Sequence, residues 1–169
     1  MEREMEAVAE LMARGGRAAA FSGAGMSTES GIPDFRSPGG VWSRARPVYY
    51  QDFLASRQAR EEYWRFYQEF HPDFAKARPN QGHLALARLG RAGRLGAVVT
   101  QNIAGLHQEA GSPAESVIEL HGNGRVTNCL SCGKHSEPTE RVLDRVTAGQ
   151  GTAPDCPLCG GPLKPATIS

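Results

Sequence analysis

The sequence predicts an α/β protein built on a doubly wound parallel sheet, and three observations predict it. Runs with strand character alternate with helical periodicities over residues 18–120, the grammar of parallel strands joined by crossover helices. The first such run, "RAAAFSGAG", passes directly into a glycine turn, a common way for a first strand to end in such sheets. The polar stretches fall where the strands end, and open α/β sheets bind their ligands beyond the carboxyl ends of their strands.

The 169 residues are enough for one domain of ordinary size with a real core. "MEREMEAVAELMARGG" mixes acids and apolar residues at helical spacing without an apolar h-region, so it predicts a first helix and not a signal peptide, ending near Gly15 and Gly16. "RAAAFS" predicts a short buried strand. Residues 38–57 are rich in Gly, Pro and Tyr without a sustained period and predict a long loop with short helical pieces, a kind of segment that is usually functional. In "QAREEYWRFYQEF", Tyr63, Phe66, Tyr67 and Phe70 recur at helical spacing, which predicts core packing. "NQGHLALARLGRAG" predicts another amphipathic helix, with Leu84, Leu86 and Leu89 inward and Gly93 near its stop. "LGAVVTQN" predicts a buried parallel strand, "IAGLHQEAG" a short helix and "SVIELHGN" a further strand. From Gly124 to Pro165 the chain becomes a cysteine-bearing insert, and the closing "ATIS" predicts the start of another strand. The expected division is therefore a Rossmann-like part over 1–123, a metal-binding module over 124–165, and a resumed Rossmann strand over 166–169.

Composition excludes several classes. Nineteen basic and 18 acidic residues, mixed along the chain, give a net charge of +1 and no electrostatic footprint of a nucleic-acid binder. No stretch of about 18 apolar residues predicts a membrane span. Four cysteines in a chain of this kind predict metal binding in a reducing cytoplasm over disulfides.

Three loops carry the chemistry. Gly23 and Gly25 allow a sharp turn and a close backbone approach to a pyrophosphate, but Thr28 stands where the G-x-G-x-x-G fingerprint has its third glycine. Ser27 and Thr28 offer hydroxyls there, and Pro33 stiffens the residues after it. Asp34, Phe35 and Arg36 then present a charge, an apolar plate and a cation, although "PDFR" by itself also suits a plain surface turn. Asn102, at the end of the second strand, can donate and accept, which suits sugar hydroxyls or a held water. His121, at the end of the third, suits either a hydrogen-bonded structural role or general-base work. Cys129, Cys132, Cys156 and Cys159 form two C-x-x-C pairs separated by 23 residues. Four thiolates close a tetrahedral zinc and leave no open position for water, so the site reads as structural; a redox or disulfide role is the competing account.

"GAGMSTESGIPDFR", "TQNIAGLH", "ELHGN" and the paired C-x-x-C motifs, in this order, resemble the sirtuins, the NAD-dependent protein lysine deacylases. The resemblance covers nearly the whole chain. It implies that the glycine loop departs from the ordinary fingerprint because it presents the glycosidic bond of NAD for cleavage instead of serving hydride transfer. It implies that Ala24, Thr28, Phe35 and Arg36, with Gly23, Gly25 and Asp34, line the NAD site, Phe35 lying against the reacting ribose. Gln101, Asn102 and Ile103 would contact the ribose and nicotinamide side, and His121 would be the general base. The implied reaction is attack of an acyl-lysine oxygen on C1′ of the nicotinamide ribose, loss of nicotinamide, and His121-assisted attack of the 2′-oxygen on the imidate carbon. Its products would be lysine, nicotinamide and O-acetyl-ADP-ribose, and its partners acetylated proteins or peptides, with neither nucleic acid nor membrane.

Two departures stand out. The family's T-Q-N-[I/V]-D ends here in Ala104, removing the acid that receives the nicotinamide carboxamide, which implies weaker productive NAD binding and opens sirtuin-like NAD hydrolysis or ADP-ribosyl transfer as an alternative. A catalytically weak NAD- and zinc-binding fragment is a further alternative, because the sheet is expected to be incomplete at Ser169, leaving the 169-residue chain inactive or nearly so and its apolar edge unpaired. The Tyr-x-x-Arg pair of sirtuins that take succinyl or malonyl groups reads Tyr67-Gln68-Glu69-Phe70 here, which implies acetyl or longer apolar acyl groups.

Overall fold

The computed structural model describes residues 2–34, 40, 46–149 and 152–168. Helix α1 (Glu2–Arg14) carries Glu2 and Glu4 in its first turn and Arg14 in its last, which complements the helix dipole. It buries none of its residues: Met5, Val8 and Leu11 stay 66%, 57% and 72% exposed. Strand β1 (Ala18–Ser22) comes next, then a 3-10 helix over Ala24–Ser30. Helices α2 (Tyr50–Ala55), α3 (Arg57–Lys76) and α4 (Gln81–Arg91) cross to β2 (Leu95–Thr100), and α5 (Leu106–Glu109) crosses to β3 (Val117–Glu119). The three strands pair in parallel in the order β1-β2-β3.

Among the described residues, one face of this sheet is covered and the other is open. Ser22, Val98 and Thr100 point inward, toward the side on which α4 meets β2. The alternate positions Phe21, Val99 and Ile118 are register partners and form a row on the other face, with Phe21 66% and Ile118 50% exposed. The buried character expected of "RAAAFS" therefore holds only at Ser22, because period-two alternation puts Phe21 on the open face.

Helix α4 is also rotated from the expected orientation. Its buried residues are His83 and Ala87, while Leu84, Leu86 and Leu89 are half-buried. The cap sets this rotation: the Asn80 side chain accepts the N–H groups of Gly82 and His83 and donates to the carbonyl of Met26 and the Ser30 hydroxyl, tying the helix start to the glycine loop.

A second sheet begins two residues after the first ends. Strand β4 (Gly122–Cys129) is central and antiparallel to both β5 (Ser136–Pro138) and β6 (Leu163–Thr167). Helix α6 (Thr139–Ala148) packs Val142, Leu143 and Val146 into a core with Trp64, Tyr67, Leu163, Cys129 and Cys156. Ala166 and Thr167, expected to open a further parallel strand, instead oppose Asn123 and Gly122 in this smaller sheet.

Helix α3 is the wall shared by both parts. Trp64 Nε1 donates to the Leu163 carbonyl at 3.1 Å and the Tyr67 hydroxyl to the Gly124 carbonyl at 2.9 Å. Gly122 is where the chain turns from one sheet into the other: its φ is +77°, and a Cβ there would collide with the Ala166 carbonyl. Gly122→Ala is expected to lose about 3 kcal/mol of stability, read as a lower urea midpoint at unchanged m-value; a variant within experimental error of the parent would refute this account of the turn.

Candidate active site

The three strand tips open into one cavity of about 650 Å³. Ala24 and Gly25 reach it from the turn after β1, Gln101, Asn102 and Ile103 from the end of β2, and His121 from the two-residue link between β3 and β4. Asp34 lines it as well. Val48, Ile168 and the stacked Phe66 and Phe70 of α3 add apolar lining, and Arg46 adds a cation. Burial pushes the Tyr63 phenol up to about 12 and raises that of Tyr67 further, so both rings face the cavity uncharged.

The link between the sheets holds His121 by its backbone. Its carbonyl accepts the Ile168 N–H at 3.0 Å, while Leu120 N–H donates to the Thr100 carbonyl at 2.8 Å. Among the described residues its imidazole has no hydrogen-bond partner, and the ring is half-buried on the cavity wall. An imidazole so placed can exchange a proton with a group bound in the cavity.

Asn102 is tied in place. Its Nδ2 donates to the Gly23 carbonyl at 2.8 Å and to Ser27 Oγ at 3.2 Å, and its backbone N–H donates to Thr100 Oγ1 at 3.0 Å. The carboxamide thus clamps the glycine turn to the end of β2 and keeps Oδ1 as its acceptor.

Not every expected residue arrives. Gly23 serves through its carbonyl and does not line the cavity. Thr28 is exposed, and its hydroxyl donates to the Gly25 carbonyl at 3.0 Å, closing the 3-10 turn. Phe35 and Arg36 lie outside the described residues. Ala104 is 2% exposed in a cluster with Ile32, Phe70, Phe74, Ala77 and Leu106, just behind the cavity wall. The aromatic stripe of α3 has two jobs where its period predicted one, since Tyr67 and Phe70 belong to the core and also line the cavity. Spacing alone separates an inward face from an outward one and cannot see an internal cavity.

The cysteines converge as their spacing requires. All four Sγ atoms lie within 4.8 Å of one another, with Cys129–Cys159 at 3.6 Å and Cys132–Cys156 at 4.0 Å. Four sulfurs about 2.3 Å from a tetrahedral zinc would be about 3.8 Å apart, so the donor set fits that ion. Backbone N–H groups of Cys132, Leu158 and Gly161 point at Cys129, Cys156 and Cys159, each at 3.4 Å, stabilising thiolate charge.

The Sir2 family model matches residues 23–168. The chain belongs to the Sir2 family. The NAD-dependent protein deacetylase of Rhodopseudomonas palustris is 46% identical over 168 residues, and NAD-dependent protein deacetylase 1 of Bradyrhizobium diazoefficiens 48% over 167; each alignment covers 98% of this chain and 64% of the relative. A Sir2 structure with a deacetylated peptide and 3′-O-acetyl ADP ribose superposes with a TM-score of 0.85 at 36% identity, over 97% of this chain and 64% of that one. Sir2Tm bound to a propionylated peptide superposes with a TM-score of 0.81, also at 36% identity, over 97% and 63%. This Sir2 chain thus spans about two-thirds of the length of the relatives it matches.

Proposed function

We propose that this chain carries the catalytic His, the nicotinamide-ribose side and the acyl-lysine wall of an NAD-dependent protein lysine deacetylase. The observation that carries the reading is the convergence of three strand tips on one cavity where the His121 imidazole stands without a protein partner among the described residues. Ala24, Gly25 and Asp34 bind NAD, together with Phe35 and Arg36, the next two residues of the chain. Gln101, Asn102 and Ile103 hold the ribose and nicotinamide side. After nicotinamide has left, His121 takes the proton of a ribose hydroxyl so that its oxygen attacks the imidate carbon. The carbon–nitrogen bond then breaks as the lysine amine leaves with a proton, and one water adds to the acyl carbon to give O-acetyl-ADP-ribose. Phe66, Phe70, Val48 and Ile168 keep water from the developing oxocarbenium centre. Residues 1–123 act as the NAD-binding part and 124–165 as a zinc-held brace. Four clustered free thiols favour a reducing cytoplasm as the place of work.

The test exploits the matched length. A hybrid in which this chain replaces the corresponding part of the R. palustris deacetylase is incubated with NAD, with and without an acetyl-lysine peptide. Nicotinamide release that requires the peptide is expected; a folded, zinc-loaded hybrid that releases none refutes the reading. Release without peptide would instead favour NAD hydrolysis or ADP-ribosyl transfer, the reading that Ala104 supports.

Ala104 gives a separate prediction. An acid behind the cavity wall would supply the missing carboxamide partner but would lie in an apolar cluster. Ala104→Asp is therefore expected to tighten nicotinamide binding about tenfold in calorimetry while lowering stability by about 1–3 kcal/mol. Unchanged nicotinamide affinity would sink this role for position 104.

A further inference from the structure

Behind the cavity lies a buried polar chain to which the proposed chemistry gives no part. His107, on α5, is 2% exposed, and its Nε2 lies 2.9 Å from Ser22 Oγ. Ser22 Oγ, at the end of β1, donates to Thr100 Oγ1 at 2.8 Å, and Thr100 is itself 2% exposed. Thr100 Oγ1 also accepts the Asn102 N–H at 3.0 Å. Each hydroxyl has one proton, and Ser22 spends its own on Thr100, so His107 must present a proton on Nε2 to complete the chain. That leaves Nδ1 as a bare acceptor, and this atom is buried without a partner among the described residues.

Protonating Nδ1 would put a cation into a buried site beside a second imidazole. Burial and the neighbouring His83, whose ring centroid is 4.8 Å away, hold His107 down at about 4, so the ring is neutral around pH 7. His107 is thus a fixed donor. Thr100 is the hub it serves, because its side chain holds Asn102 while its backbone carbonyl holds Leu120, next to His121.

We propose that His107 is a positioning residue whose neutral Nε2–H begins a directed relay, His107 to Ser22 to Thr100, that sets the Asn102 loop on the cavity floor. The relay is a property of the ligand-free chain, and only its consequence for turnover rests on the function proposed above. It also gives a physical reason for a serine and a threonine at buried positions on the ends of two adjacent strands, where apolar residues would otherwise pack.

Nitrogen-15 NMR on the 169-residue chain tests it without a ligand. Long-range couplings are expected to place the His107 proton on Nε2; a proton on Nδ1 overturns the relay's direction. In Thr100→Val and His107→Leu, the Asn102 backbone amide should exchange about tenfold faster than in the parent, with Val98 in mid-strand unchanged. Thr100→Ser and His107→Gln, which keep a hydroxyl and a donor, should restore slow exchange. Unchanged exchange at Asn102, or equal acceleration at Val98, would show a plain packing role and overturn the proposal. Adding NAD then separates the two claims: a shift of the Asn102 carboxamide resonances in the parent but not in His107→Leu supports the coupling to the site. No shift in the parent counts against NAD binding while leaving the ligand-free result to decide the relay.

Discussion

In the hybrid with the R. palustris segment, His121→Ala is expected to cut formation of deacetylated peptide by about 10²–10⁴-fold, the range that general-base catalysis commonly supplies. The same substitution should leave folding nearly untouched. The imidazole has no hydrogen-bond partner among the described residues, and what fixes the segment is backbone: Ile168 N–H to the His121 carbonyl and Leu120 N–H to the Thr100 carbonyl. Removing the ring therefore removes a reacting group and little packing. The measurement pairs peptide turnover with a thermal melt. Turnover within a fewfold of the parent would remove His121 from the chemistry, and a collapsed melting curve would assign it to the fold instead. Because the proposed proton transfer comes after nicotinamide departure, nicotinamide release should fall less than deacetylated product. A parallel loss of both would move the role of His121 to the first step.

Stripping zinc should have the largest effect on stability. Cys129 and Cys156 are each 3% exposed and belong to the same cluster as Trp64, Tyr67, Val142 and Leu163. Without the ion, nothing ties the half-buried Cys132 and the exposed Cys159 to the buried pair, and the two C-x-x-C turns lose their link across that core. Structural zinc sites contribute about 10–16 kcal/mol of apparent binding free energy, as much as the whole stability of a typical domain. Chelation, or Cys156→Ala, is thus expected to unfold the β4–β5–β6 module and to collapse the near-ultraviolet signal of Trp64 and Tyr67, which pack against it from α3. The loss should spread to the cavity, since Trp64 and Tyr67 are tied to Leu163 and Gly124 and share α3 with Phe66 and Phe70. Metal analysis should find one zinc per chain, and adding zinc back should restore the fold. A metal-free chain that keeps its melting temperature and its aromatic signal would show the cysteines to be idle.

Much of the site can be read from residue types alone. Glycines after a strand, an amide and an imidazole at strand ends, and cysteines in two C-x-x-C pairs are local signals, because each depends on what a few neighbouring residues can do. Ala24, Gly25, Asp34, Gln101, Asn102, Ile103 and His121 all reach the cavity as expected. Thr28 differs: a hydroxyl near a glycine turn can serve the turn itself, and here it donates to the Gly25 carbonyl. The orientation of α4 misleads for a related reason. Leucine spacing votes for one face, but the Asn80 cap and its bonds to Met26 and Ser30 rotate His83 and Ala87 inward.

The sequence by itself determined the strand–turn grammar, the metal ligands and the polar strand tips, since these rest on backbone preference and donor chemistry within short windows. Tertiary structure alone decided that α3 would wall both a core and a cavity, that Ala166 and Thr167 would pair with β4, and that His107, Ser22 and Thr100 would meet. Those outcomes depend on contacts between residues as many as 99 positions apart, and no local periodicity records which distant surfaces will touch.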